Sequence, residues 1–131
     1  MADAPDRYTQ GMATRRSVLG RRYVDAAVAS TDPFTEDFQK LITESAWGSV
    51  WSRDTISKRE RSMLTIALLA ALGHHDEVAM HVRATRNTGA SMDDIKEALL
   101  HVAIYAGVPA ANHAFKITKA AYAEMDKDKT G

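Results

Sequence analysis

Cysteine is absent from the 131-residue chain. Thiol nucleophiles, disulfides, redox thiol pairs and thiolate metal sites are therefore excluded at once. With no disulfide possible, nothing in the composition points to secretion. An excess of one charge is missing too, since seventeen Lys and Arg balance seventeen Asp and Glu. A general nucleic-acid binder normally carries a basic excess, so no nucleic-acid partner is expected. No run approaches the roughly 20 apolar residues of a membrane span, so no membrane partner is expected either. The first residues, among them Met1, Asp3, Pro5, Asp6 and Arg7, show no apolar signal region, and a cytoplasmic location is expected. Glycine and proline are scarce, at seven and three, and no linker, repeat or low-complexity stretch divides the chain. What remains is 45% apolar and 26% charged, a globular composition. A mass of 14.4 kDa suits one domain over residues 1–131.

The patterning is helical. Residues 1–30 read as an N-terminal helical arm, one broken helix or two short ones around Gly20. Asp32-Pro33 is a helix-start signal, an acid at the N-cap followed by proline in the first turn. Phe34, Phe38, Leu41, Ile42 and Ser45 then follow helical spacing, and Ala46 to Trp51 is expected to end that helix in a loop. Ser57-x-x-Glu60 is a capping box opening the run Met63 to Leu72, which is apolar nearly all round and predicts a buried central helix. Gly73 is the expected stop. His74 to Thr88 reads as a polar-faced helix. Ser91-x-x-Asp94 opens another, with Ile95, Leu99, Val102 and Ala106 as its apolar stripe. Gly107-Val108-Pro109 breaks it, and a last helix carries Ala110, Ala114, Ile117, Ala121 and Met125, with residues 126–131 as a frayed tail. No segment alternates at period two for long. The fold class is all-α, a bundle of six to seven helices. Its many alanines and generous apolar content suit burial between subunits.

Three groups of residues carry candidate chemistry. In His74-His75-Asp76-Glu77-x-x-x-His81, the helical offsets bring His74, Glu77 and His81 within about 60° of one face. A carboxylate four residues before a histidine can orient the ring and raise its pKa, as proton transfer requires. The same residues also suit a solvated helix start with acids near the dipole, or a zinc site of two histidines and a glutamate. Against the zinc site, the motif His-Glu-x-x-His is absent. Trp47 and Trp51, four apart around Gly48, are packing residues or a pocket wall. Arg15-Arg16 and Arg21-Arg22 frame Ser17 to Gly20, and Arg53, Arg59, Arg61, Arg83 and Arg86 spread along the middle. Each is a solvated surface arginine or part of a local patch that holds a small anion, guanidinium matching carboxylate in a fork. His101 and His113 sit in apolar helices, where core or interface roles are the ordinary ones.

The motifs Tyr8-x-x-Gly11-Met12-x-x-Arg15-Arg16-x-Val18-Leu19-Gly20, Ala46-Trp47-Gly48-x-x-Trp51-x-Arg53 and Arg61-Ser62-Met63-Leu64-Thr65-Ile66-Ala67 form a recognisable series. So do His81-x-Arg83-Ala84-x-x-Asn87-x-Gly89, Glu97-x-Leu99-Leu100 and Tyr105-x-Gly107-x-Pro109-Ala110-Ala111-Asn112. Across nearly its whole length the chain resembles the carboxymuconolactone decarboxylases, relatives of the thiol-dependent alkylhydroperoxidases. The resemblance implies an alkylhydroperoxidase-like helical bundle. It implies loss of CO2 from 4-carboxymuconolactone, an intermediate of protocatechuate breakdown, to give the β-ketoadipate enol-lactone. In the hydroperoxidase branch, a pair of cysteines precedes a histidine. Aligned on His81, those cysteines fall on His74 and Glu77, so the groups left move protons and not electrons.

The resemblance thus implies His81 as proton donor, Glu77 as its orienter and His74 as a second donor. Arg16 and Arg61 would bind the substrate's carboxylates, and Trp47 would exclude water. No metal or organic cofactor is implied, because the lactone carbonyl receives the electron pair that CO2 leaves behind. The partners implied are a small lactone dicarboxylate and further copies of the chain, assembled as a hexamer built from a trimer of dimers. A related small-acid enzyme of the same fold, or a non-catalytic oligomeric binding protein, are the alternatives.

Overall fold

Side-chain caps at Asp6 and Ser91 and glycines at positive φ mark several of the helix boundaries. The computed structural model describes residues 6–130, the side chains of residues 129 and 130 excepted. The readings made above for residues 1–5 and for Gly131 lie outside the described residues. Among the described residues there are seven α-helices, one π-helix and no strand. The chain divides into two compact units, the first ending at Ser57 and the second starting at Lys58.

In the N-terminal unit, Asp6 caps α1 (Arg7–Leu19) by accepting from the Thr9 amide at 2.8 Å. Gly20, at φ +94°, separates α1 from α2 (Arg21–Ala29), so the arm is two helices. That left-handed φ is a conformation glycine takes without a Cβ clash. Asp32 accepts from the Phe34 and Thr35 amides at 3.0 and 2.9 Å. It caps a turn rather than the helix itself, and α3 (Glu36–Ile42) starts one residue beyond Thr35.

The expected loop at Ala46 to Trp51 is instead a π-helix, Thr43–Trp51, continuous with α3. Its wider register is served by hydroxyls that reach back five residues, Ser49 to the Glu44 carbonyl and Ser52 to the Trp47 carbonyl. Such helices are rare at this length. It packs on α1 through glycines: a Cβ at Gly11 would overlap the Thr43 carbonyl, and one at Gly48 would lie 2.5 Å from the Arg7 carbonyl oxygen.

The C-terminal unit is a bundle of α4 (Lys58–Leu72), α5 (His75–Thr88), α6 (Met92–Tyr105) and α7 (Val108–Thr130). Ile66, Val78, Val82, Ile95, Leu99 and Val102 form its core with alanines of α4 and α7. Ser91 and Asp94 make the reciprocal capping box of α6. Gly73, Gly89 and Gly107 all have positive φ at the helix junctions.

Three expectations need correction here. The helix α4 is not buried all round: it buries Ser62, Ile66 and Ala70 but exposes Leu64, Leu68 and Leu72 at 56%, 63% and 69%. Apolar character on every face does not bury a helix that has neighbours on one side only. Ala106 is the exposed C-cap of α6 and not part of its buried stripe. The helix α7 continues to Thr130, where a frayed tail was expected from residue 126.

Candidate active site

The helix α5 buries Val78, His81, Val82 and Thr85 along one stripe, at offsets of three and four. His81 thus occupies a core position, at 6% exposure. Burial penalises the imidazolium and pushes its pKa down to about 4, outweighing the opposing pull of the Glu77 carboxylate. The ring is therefore neutral near pH 7. Glu77 lies one turn earlier, exposed, close enough for its charge to act on His81.

His74 stands apart from that helical face. It is the N-cap of α5, at φ −86° and ψ 75°, and is exposed. The shared face drawn for His74, Glu77 and His81 assumed helix from His74 onward, so it holds for Glu77 and His81 alone. His75 takes the first helical position, and its ring stacks on that of His113 with centroids 3.9 Å apart. His113 is exposed, as is His101, which stacks on Tyr105 at 6.0 Å. Neither is a core histidine. No spacing rule joins His75 to His113, because the pairing depends on how α5 meets α7. Among the described residues, no three His, Asp or Glu side chains are grouped to hold a metal ion.

Several arginines are already committed to carboxylates. Arg59 forks onto Asp94 with two bonds of 2.7 Å, which holds the Asp94 carboxyl well below its ordinary range. Arg83 meets Glu124 at 2.8 Å and Arg86 meets Asp128 at 3.9 Å. Arg61 is half-buried on α4. In the N-terminal unit Arg16 is exposed and pairs with Asp25 at 3.2 Å. Its neighbour Arg15 is buried, donating through Nη1 to Gln39 Oε1 at 3.1 Å and Thr43 Oγ1 at 3.3 Å. Trp47 is buried against Trp51, ring centroids 5.1 Å apart and tilted by 35°.

The candidate residues thus fall into two sets. His74, Glu77, His81 and Arg61 belong to the C-terminal unit, and Arg16 and Trp47 to the N-terminal one. Within the first set, Glu77 and His81 are brought together.

Residues 36–120 match the model of the carboxymuconolactone decarboxylase family. The chain is 42% identical over 119 residues to a 4-carboxymuconolactone decarboxylase of Acinetobacter baylyi, covering 91% of this chain and 89% of that one. It is 37% identical over 118 residues to a nitrosuccinic acid decarboxylase of Metarhizium robertsii, covering 90% and 82%. A shorter match, 41% over 46 residues, covers 35% of this chain and 96% of a 4-carboxymuconolactone decarboxylase sequence from Pseudomonas putida.

Proposed function

Because the chain belongs to the carboxymuconolactone decarboxylase family, we propose that it removes CO2 from 4-carboxymuconolactone in protocatechuate degradation, without a cofactor. The observation that carries this is the 42% identity with the Acinetobacter baylyi enzyme along nine-tenths of both chains.

The chemistry divides between substrate and protein. The carbon–carbon bond to the carboxylate breaks, CO2 leaves, and the electron pair runs through the ring double bond onto the lactone carbonyl oxygen. The dienolate then takes a proton on carbon. The substrate supplies its own electron acceptor, the task for which other decarboxylases recruit a cofactor. The protein must hold the carboxylates, stabilise the developing oxyanion and deliver the proton.

His81 is the proton donor in this proposal. Its buried ring is neutral in the empty chain, and the arrival of a dianion favours the imidazolium, so binding loads the acid. Glu77 orients the ring and favours its charged form. His74, exposed at the N-cap, is a second donor. Arg61, in the same unit as His81, takes a carboxylate of the substrate. The clamp belongs on the carboxylate that survives, because an equal grip on the departing one before and during CO2 loss accelerates nothing.

We place the enzyme in the cytoplasm as a homo-oligomer, a hexamer built as a trimer of dimers. The exposed leucine stripe on α4 supports assembly with further copies, and no helix among the described residues is long and apolar enough to cross a membrane.

The test is ultraviolet monitoring of enzymatically generated 4-carboxymuconolactone with CO2 measured in parallel, before and after exhaustive chelation. One CO2 per lactone consumed, unchanged by chelation, is expected. Lactone that persists overturns the assignment and leaves a non-catalytic binding protein; lactone that disappears without CO2 leaves a related enzyme with another reaction. Activity lost on chelation and restored by one metal overturns the cofactor-free reading.

The fungal relative favours a second, related reading. The nitro group of nitrosuccinate can also accept the electron pair that departing CO2 leaves. The same residues then serve small acids that carry their own acceptor. Nitrosuccinate offered beside the lactone separates the two by the ratio of kcat/KM values.

A further inference from the structure

Arg15 is 5% exposed, inside the N-terminal unit. A guanidinium keeps its charge at any pH at which a protein folds, and a buried charge is costly without an opposite one. Buried arginines therefore ordinarily lie against carboxylates. Arg15 lies against neutral groups, the Gln39 amide oxygen and the Thr43 hydroxyl, both reached by Nη1. Its Nε is buried with no hydrogen-bond partner among the described residues. Burial also lowers its pKa, against the opposing pull of Tyr23 and Tyr8.

The placement is built into the helix. Arg15 lies four residues after Gly11, on the face of α1 that the two glycines bring close to the π-helix. The side chain is thereby carried to Gln39 on α3 and Thr43 at the start of the π-helix. A cavity of about 480 Å³ opens at this point, with Tyr8, Met12, Arg15, Gln39 and Thr43 in its lining. That volume lies in the range of small-molecule sites, about 300–1,000 Å³. Glu36, Asp37 and Lys40 also line it and are exposed. Among the described residues neither acid pairs with Arg15, and Lys40 faces Glu44 at 3.9 Å.

We propose that this cavity is a binding site for a small organic carboxylate, anchored by Arg15 and seated against Tyr8 and Met12. A carboxylate supplies the acceptor that Nε lacks and the negative charge that Gln39 and Thr43 do not bring. The aromatic and thioether walls suit a short carbon body. The site stands on residues of the N-terminal unit alone and needs no part of the chemistry proposed for His81.

The probe is succinate, which has two carboxylates and no internal electron acceptor. It is titrated into the intact protein at fixed ionic strength by calorimetry, and its effect on the melting temperature is followed. Saturable binding that raises the melting temperature is expected. Arg15→Gln should weaken binding at least tenfold, and Arg15→Lys, which keeps the charge and loses the fork, should weaken it less. Gln39→Glu keeps the fold testable: it sets a carboxylate 3.1 Å from Nη1. It should raise the melting temperature of the ligand-free protein and weaken succinate binding tenfold or more. His81→Gln should bind succinate as the wild type does, which separates failure here from failure of the decarboxylase assignment. Competition between succinate and the lactone in turnover names the substrate's own acid group as occupant; binding without competition names a second acid. Both uphold the site. No binding to wild type, or affinity unchanged in Gln39→Glu and Arg15→Gln, overturns it and leaves Arg15 as a tie between α1 and α3.

Discussion

His81 joins deep burial to a titratable ring. If it protonates the dienolate, His81→Gln should lower kcat by about 10²–10⁴-fold with the fold intact, since glutamine donates a hydrogen bond but delivers no proton. Glu77→Gln should cost less and should lower the pKa that governs kcat. A kcat for His81→Gln within about threefold of wild type would mean that the proton comes from His74 or from water. Burial also links His81 to stability. Its folded pKa is about 4 against an ordinary value of 6.5. Between these values the unfolded chain binds a proton that the folded chain refuses. The contribution is fully present above pH 6.5, is lost as the pH falls toward 4, and stays lost below. For a shift of this size it is on the order of 3 kcal/mol. Urea unfolding at pH 7 and pH 4 should therefore show a smaller loss in His81→Gln than in wild type, and equal losses would refute the linkage. Spacing alone identified Glu77 and His81 as neighbours. It did not disclose the sign of the shift, because burial by α4 and α7 opposes Glu77 and wins. Arg15 and Arg16 show the same limit. Adjacent helical residues point about 100° apart, so which one is buried depends on where the neighbouring helix lies.

Among the elements, the π-helix is the one that local patterning missed. Capping residues and glycines marked the helix boundaries at Gly20, Ser91 and Gly107, because those signals act within a turn. Trp47 and Trp51 are four apart, which an α-helix and a π-helix both tolerate, and Gly48 between them reads as a helix end. Its actual use is close approach. Gly48 and Gly11 admit backbone where any Cβ would collide, and the tight α1 contact holds the wide register in place. Gly11→Ala and Gly48→Ala should therefore each destabilise the protein by at least the about 1–3 kcal/mol typical of overpacking. In both cases the atom struck is a carbonyl oxygen and not a flexible side chain. Denaturant midpoints of the two variants check this. A change below about 0.5 kcal/mol in either, the usual range for surface substitutions, would mean that the helices can separate at no cost. Gly89→Ala, at φ +85° with open space around it, probes backbone strain instead and is the comparison.

At the scale of the whole molecule, the exposed leucines of α4 bear on the proposed assembly. Leu64, Leu68 and Leu72 recur every four residues, so they form one stripe along the helix and not scattered surface positions. Single exposed leucines are ordinary, but a continuous apolar stripe left in water marks an interface. In the same unit, Ile104, Tyr105 and Val108 are exposed at 76%, 83% and 67% around the α6–α7 junction. Sequence patterning registered this surplus as a helix apolar on nearly every face. It read the helix as buried and the surplus as suited to burial between subunits, but periodicity alone could not say which face of the helix its own chain leaves uncovered. Light scattering at micromolar concentration should report several times 14.4 kDa. Leu68→Glu places a charge in the middle of the stripe, at a position that is 63% exposed. It should lower the mass toward that of one chain, with the helix content by circular dichroism preserved. If the active form is the assembly, kcat/KM should fall with the mass and recover on raising the protein concentration. A wild-type protein that is monomeric and fully active at micromolar concentration would leave the stripe without a role in the reaction. A Leu68→Glu protein of unchanged mass would move the interface to another face.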